Sequence, residues 1–270
     1  MASIRLITSS RRSAVGSFCI MEKPFDSAKL ILQEAEEHIG TFNALAEAFV
    51  RPNNWTHRVD VDPQTGEQVC KIIFKTDIPP KLTMRAYDIF RYARDALDHA
   101  LYASAKLTSG KEDPKRCKFP FGDTPQELES EIDQRKCEDL HAQVLKLVIA
   151  SKPYEAGDRT LWAMNKIRNG DTHKVLTPAT VGSGYGIGNG VMNNVMLVSA
   201  NEWRSTSRQL TYLRISMDAA SQFELQSAPT IAINSAFGLG GPASQRFRDI
   251  HDTASGLVAA VEAATVDAIK

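Results

Sequence analysis

The sequence predicts an α+β protein that is mainly an α-helical bundle, decorated by a β-hairpin and a small antiparallel sheet insertion. Three observations point there. Apolar residues recur at three- and four-residue spacing near 27–50, 81–105, 125–150, 158–169 and 243–269, the mark of helices with one buried face. Two β-type runs flank the turn Asp62-Pro63-Gln64-Thr65-Gly66, which reads as a hairpin. Beyond Pro178 the composition shifts to alternating glycines and β-type runs before a last helical stretch.

Residues 1–20 are rich in Ser, Arg and small side chains, with Arg5, Arg11 and Arg12 and no acid before Glu22. They are expected to form a disordered leader over 1–25, or to follow an upstream start with Met21 as the natural beginning. Asp26-Ser27 caps a first helix from about Ser27 to Val50, with Leu30, Ala35, Ile39, Phe42, Leu45 and Phe49 as its stripe. Arg51-Pro52-Asn53-Asn54 stops it. Strands follow at Trp55 to Val61 and Val69 to Lys75. Pro79-Pro80 opens a second long helix, Lys81 to Ala105, because first-turn amides have no intrahelical partner to lose.

Ser109 to Arg116 is a polar loop, and Lys118-Phe119-Pro120-Phe121-Gly122-Asp123 is an aromatic tether pinning it to the bundle. Thr124-Pro125-Gln126-Glu127 starts a helix with the pattern of a capping box. Helical segments are expected at Pro125 to Arg135 and Glu138 to Ala150. Lys152-Pro153-Tyr154 breaks the chain, and Asp158-Arg159-Thr160 caps a helix from Leu161 to Asn169, which Gly170 can end in a left-handed conformation.

The run Gly182 to Gly190 alternates Gly with other residues, but no helix follows it, so it does not read as a phosphate cradle. It is expected to be a mobile hairpin or loop tip. Strands are expected at Val191 to Ala200, Gln209 to Met217 and Thr230 to Asn234. The closing helix, Ala243 to Ile269, carries Phe247, Ile250, Ala254, Leu257, Val258 and Val261 on one face. The expectation is one domain over 26–270, with the bundle at 26–176 and 243–270 and a peripheral β-rich insertion at 177–242.

The chain has 270 residues, 43% hydrophobic and 24% charged, enough apolar material for a sizeable core. Lys+Arg and Asp+Glu both number 32, so any RNA contact has to come from a local patch and not from net charge. Cys19, Cys70, Cys117 and Cys137 form no C-x-x-C pair; neither a zinc knuckle nor a disulfide framework is indicated, which fits a reducing cytoplasm. No apolar run reaches the eighteen or more residues of a membrane helix. No cofactor motif stands out.

Two segments share a spelling: Arg94-Asp95-Ala96-Leu97-Asp98-His99 and Arg168-Asn169-Gly170-Asp171-Thr172-His173. Each opens on a permanent cation and ends on an imidazole. Cleavage of a phosphodiester without a metal needs that pair, because Arg holds a phosphate oxygen through its planar fork while His moves a proton near neutral pH. Arg94, His99, Arg168 and His173 are therefore the candidate catalytic residues, with Asp95, Asp98, Asn169 and Asp171 in support. Within a helix, Arg94 and His99 project about 140° apart, whereas Asp95 and His99 share a face, as do Arg94 and Asp98. Either Asp95 orients His99 while an Arg from elsewhere meets the phosphate, or both faces border one cleft. Two other readings stand beside this one. The polar residues can instead form a buried network in a non-catalytic scaffold or binding protein. Alternatively, His99, His173, Asp95 and Asp171 can form a metal site.

The chain also resembles a broad set of uncharacterised bacterial proteins. The shared features are an R-x-x-L-D-H helix, an F-P-hydrophobic segment (Phe119-Pro120-Phe121), a K/Q-P-Y break (Lys152-Pro153-Tyr154) and an L-W run ending in N-x-D-K-H-R. Here the last is Leu161-Trp162 through Asn169-Gly170-Asp171-Thr172-His173-Lys174, with Thr172 and Lys174 departing from the set. The match spans roughly Asp26 to Leu176. More distantly, both Arg-to-His segments resemble the motif of the HEPN superfamily, helical proteins that include many RNases of toxin–antitoxin and antiviral systems. In that motif Arg precedes His by four to six intervening residues, often with Asn, Asp or His second; Asp95 and Asn169 fit. The resemblance implies a helical bundle, a metal-independent endoribonuclease with RNA as substrate, and a site joined across a homodimer or between the two motifs of one chain.

Overall fold

A computed structural model describes residues 23–115, 117–170, 179–191, 195–216, 222–233 and 239–270. Its helices follow the apolar periodicity. Helix α1 (Asp26–Phe49) buries Ala28, Leu32, Ala35, Ile39, Phe42 and Phe49 along one stripe. Helix α2 (Pro80–Thr108) is almost encircled by neighbours and buries apolar residues on several faces, among them Leu82, Ile89, Phe90, Leu97 and Leu101. Its small side chains, such as Ala93, Ala96, Ala100 and Ala103, are all buried.

Helix α3 (Pro125–Glu131) starts where Thr124 accepts a hydrogen bond from the Glu127 amide, and the Glu127 carboxylate accepts one from the Asp123 amide at 2.7 Å. It runs into a π-helical turn, Ile132–Lys136. Helix α4 (Ala142–Ala150) begins later than the sequence suggests, capped by His141 Nδ1. Helix α5 (Arg159–Gly170) starts where the Asp158 carboxylate accepts the Leu161 amide. Helix α6 (Ala243–Ala268) returns to α1 and α2, with Phe247 edge-on to Phe42 at 4.7 Å and to Phe90 at 5.6 Å between ring centres.

The strands correct the expected architecture. β1 (Trp55–Val61) and β2 (Gln68–Phe74) form the anticipated hairpin, registered from Trp55↔Phe74 to Val61↔Gln68. Gly66, at φ +72°, takes the left-handed turn position. The hairpin is no isolated ornament. It joins β4 (Met196–Arg204) and β5 (Gln209–Ser216) in a four-stranded antiparallel sheet of order β1-β2-β5-β4.

The Gly-alternating segment is likewise not a loop tip. It lies within β3 (Ala179–Val191), which pairs antiparallel with β6 (Gln222–Ile233) from Ala179↔Ile233 onward. A cross-strand ladder satisfies backbone amides and carbonyls whatever the side chains are, and this outweighs the entropy lost by ordering glycine.

Nor is the 177–242 region peripheral. Val181, Ile231 and Ile233 from the β3–β6 ribbon share one apolar cluster with Ile72, Phe74, Leu210, Leu213 and Ile215 from the sheet and with the buried faces of the helices. Phe49 of α1 stacks on Phe74 of β2 at 4.8 Å, their planes 3° apart. The α+β class therefore stands, whereas a mainly helical bundle with a β decoration does not: two antiparallel sheets complete the core that the helices leave open. Among the described residues, no helix is long and apolar enough to cross a membrane.

Candidate functional site

Arg94 is enclosed between α2, the aromatic tether and α5. It is 8% exposed, pairs with Asp98 one turn along α2, and donates from Nη2 to the Phe119 carbonyl at 3.2 Å and from Nε to Asn165 Oδ1 at 3.4 Å. Its guanidinium lies over the Phe121 ring, 4.6 Å from the centre. Asp98 in turn accepts the Phe119 amide at 2.7 Å. The Arg94–Asp98 pair thus clamps the backbone of the aromatic tether to α2 and reaches across to α5. The aromatic tether is legible in the sequence, and Arg94 and Asp98, which helical spacing puts on one face, fasten it.

The second face of α2 is different. Asp95 is half-buried, and its carboxylate lies 3.6 Å from Arg168 Nη2 on α5. One helical turn further on, about 5–6 Å between Cβ atoms, His99 is exposed, with Nδ1 3.2 Å from the hydroxyl of Ser27 at the start of α1. Arg168 Nη1 also donates to Asn169 Oδ1 at 3.2 Å, and Asn169 donates to Asn165 Oδ1 at 3.1 Å. The two motifs therefore meet: Arg168 with Asp95, and Asn169 with Arg94 through Asn165. Asp171 and His173 lie outside the described residues, so the separation of His99 and His173 does too. Among the described residues, no three His, Cys, Asp or Glu side chains gather as metal ligands.

Asn165 is the hub that sequence reading missed. The signal existed, since Asn165 precedes Arg168 by three residues and Asn169 by four and so shares their helical face. A second unforeseen group lies beside it. Asp123, at the end of the tether, accepts the Trp162 indole N–H at 2.8 Å and pairs with Lys166 at 2.7 Å. Hydrogen bonds from Lys166 and then Trp162 hold its carboxyl below the usual carboxylate range, against a smaller opposing effect of burial.

A third constellation sits between the sheets. His57 Nε2 is 3.1 Å from Ser227 Oγ, and its Nδ1 is 3.5 Å from the Tyr212 hydroxyl. Burial lowers its pKa. Partners 155 and 170 residues apart leave no local pattern to read. Cys70, Cys117 and Cys137 are buried and unbridged, and burial pushes the Cys117 thiol up to about 11. It is a packing residue and no thiolate nucleophile near neutral pH.

Comparison with family models, with curated proteins and with solved structures returns no match.

Proposed function

We propose that the chain is a HEPN-like, metal-independent endoribonuclease whose working groups on the described residues are His99 and Arg168, with Asp95 between them. The observation that carries this reading is the 3.6 Å approach of Arg168 to Asp95. It puts the cation of one motif on the same α2 face as the imidazole of the other. This is the arrangement that helical geometry requires if Arg94 is turned away from its own His99. In the proposed reaction, His99 takes the proton of a ribose 2′-OH, whose oxygen attacks the adjacent phosphorus. The P–O5′ bond breaks, and the leaving oxygen takes a proton from an acid, a role that suits His173. The products are a 2′,3′-cyclic phosphate and a 5′-OH. Arg168 stabilises the charge that builds on the phosphoryl oxygens, and Asp95 holds the guanidinium in place. RNA is the partner in this reading, and its electrostatic contact is the local one at Arg168.

The test uses single-stranded RNA with purified protein in excess EDTA. The expected result is cleavage leaving 2′,3′-cyclic phosphate ends. His99→Ala should lower the rate by about 10²–10⁴, the usual contribution of a general base, and Arg168→Ala should also abolish most activity. Both side chains are at least partly exposed, so melting temperatures should change little. Intact RNA with the parent protein, or full activity in both variants, overturns the proposal.

One observation favours a second reading. The buried Arg94 network ties α2, the tether and α5 together, as expected of a non-catalytic scaffold or binding protein that uses its polar residues for architecture. On that reading RNA stays intact, and His99→Ala and Arg168→Ala are silent in every assay of RNA turnover.

A further inference from the structure

One face of the four-stranded sheet belongs to the core, carried on β2 by Cys70, Ile72 and Phe74. The opposite face holds a cavity of about 450 Å³, a volume in the range of small-molecule sites. We propose that this cavity binds the terminal phosphate of a phosphate monoester. None of its lining residues belongs to the Arg168–Asp95 cleft, so the proposal goes beyond the nuclease reading and does not rest on it.

A register shift builds the site. On β5, Thr211 and Arg214 are three residues apart, and strict alternation would send them to opposite faces. The ladder skips Tyr212. On one side Cys70 pairs with Leu213 but Lys71 with Thr211; on the other, Ser199 pairs with Leu213 but Glu202 with Thr211. This bulge brings Thr211 and Arg214 to the same face, where both line the cavity. Lys71 stands directly across from Thr211, and Arg204 stands across from Gln209, two residues before Thr211.

Three lining side chains have nothing to bond. Thr211 is 5% exposed, yet its hydroxyl has no hydrogen-bond partner among the described residues; nor has the Gln209 amide or the Arg204 guanidinium. Polar groups so enclosed are normally satisfied, and these three adjoin one another on one wall.

The other two cations are held in place by carboxylates. Asp60 accepts from Lys71 at 2.7 Å and from Arg58 at 2.6 Å, and those hydrogen bonds keep its carboxyl below the usual carboxylate range. Asp62 lies 3.7 Å from Arg214 through Oδ2, and its Oδ1 accepts the Gln64 amide at 2.9 Å. Both carboxylates of the lining are thus engaged, whereas Arg204 faces none. Glu202, opposite Thr211 on β4, is exposed and does not line the cavity.

The donors choose the ligand. A terminal phosphate carries about −1.5 to −2 charge and three acceptor oxygens. It can take the Arg204 fork, the Thr211 hydroxyl and a proton from Lys71 or Arg214 together. A carboxylate has one charge and two oxygens, and leaves part of that set unused. The phosphate can belong to a free sugar phosphate or to the 5′ end of an RNA, which share this group.

Calorimetric titration of the protein with inorganic phosphate and with ribose 5-phosphate should show saturable binding, and ribose and acetate should show none at equal concentration. Arg204→Ala should weaken ribose 5-phosphate about tenfold, the worth of one charge-assisted hydrogen bond. Thr211→Val keeps the shape and removes the hydroxyl. It should weaken binding about fivefold without lowering the melting temperature, because the hydroxyl has no partner to lose. A 2′-O-methyl oligonucleotide, which cannot be cleaved through its 2′ oxygen, separates the two sources when compared with and without a 5′-phosphate. Tighter binding with the phosphate, lost in Arg204→Ala, assigns the site to RNA ends; no gain, with ribose 5-phosphate still bound, assigns it to a free sugar phosphate. Both keep the site. No binding of either phosphate, equal binding of acetate, or a titration unaltered in Arg204→Ala or Thr211→Val overturns it. Cleavage is measured nowhere here, so a protein that leaves RNA intact can still bind ribose 5-phosphate, and the two proposals fail separately.

Discussion

At the scale of residues, burial separates two cations with the same motif spelling. Arg94 and Arg168 both open an Arg-to-His segment, yet Arg94 is enclosed among Asp98, Asn165, Phe119 and Phe121 while Arg168 is partly exposed. Removing one partner of a buried ion pair leaves the other charge uncompensated, at a cost of about 3–5 kcal/mol. Arg94→Ala should therefore cost stability of that order, measured by urea unfolding, through the stranded Asp98 and the released Phe119 carbonyl. Arg94→Lys should recover only part of it, since a point charge cannot reproduce the fork that serves Asn165 and the tether together. A variant that unfolds like the parent would show that the clamp is ornamental.

At the scale of elements, one side chain at a bulge helps to tie the β3–β6 ribbon to the four-stranded sheet. Asn201 sits where the β4–β5 register shifts between Ser199 and Glu202, has φ +45°, and accepts the Ser183 amide of β3 at 3.0 Å. Asn tolerates the left-handed conformation better than most residues because its short polar side chain bonds locally. Asn201→Ala should lose both advantages and destabilise the protein by about 1–3 kcal/mol, with faster hydrogen exchange at the Ser183 amide. Asn201→Gly keeps the backbone freedom and loses only the hydrogen bond, so it should fall between the parent and Asn201→Ala. Equal losses in the two variants would remove the conformational part of this account.

At the scale of the molecule, helices and sheets share one core and should unfold together. Phe74 stacks on Phe49 of α1 and meets Trp203 of β4 edge-on at 5.8 Å between ring centres. A Phe→Ala change in such a position costs about 3–5 kcal/mol. In Phe74→Ala, the helical circular-dichroism signal and the tryptophan fluorescence should shift to lower denaturant by the same amount and keep coincident midpoints. Separate transitions for the two probes would mean that the helices hold without the sheet, and the β-rich region would then be an insertion after all.

How much of this was legible follows from how far apart in the chain each interaction acts. The sequence by itself determined the helices, their ends to within a few residues in most cases, and the β1–β2 hairpin, because Pro, Gly, caps and apolar periodicity are local and act within one or two turns. It also determined that Arg94 and Asp98 share a face and that Asp95 and His99 share another. That Arg168 approaches Asp95, and that Asn165 joins the two motifs across 71 residues, only the tertiary structure decided. The same holds for the sheet. Lys71 and Thr211 are cross-strand neighbours 140 positions apart, and the glycines of β3 carry no side-chain pattern to announce a strand. Pairing over such distances depends on a partner ladder and a common core, which exist only once the chain has closed on itself.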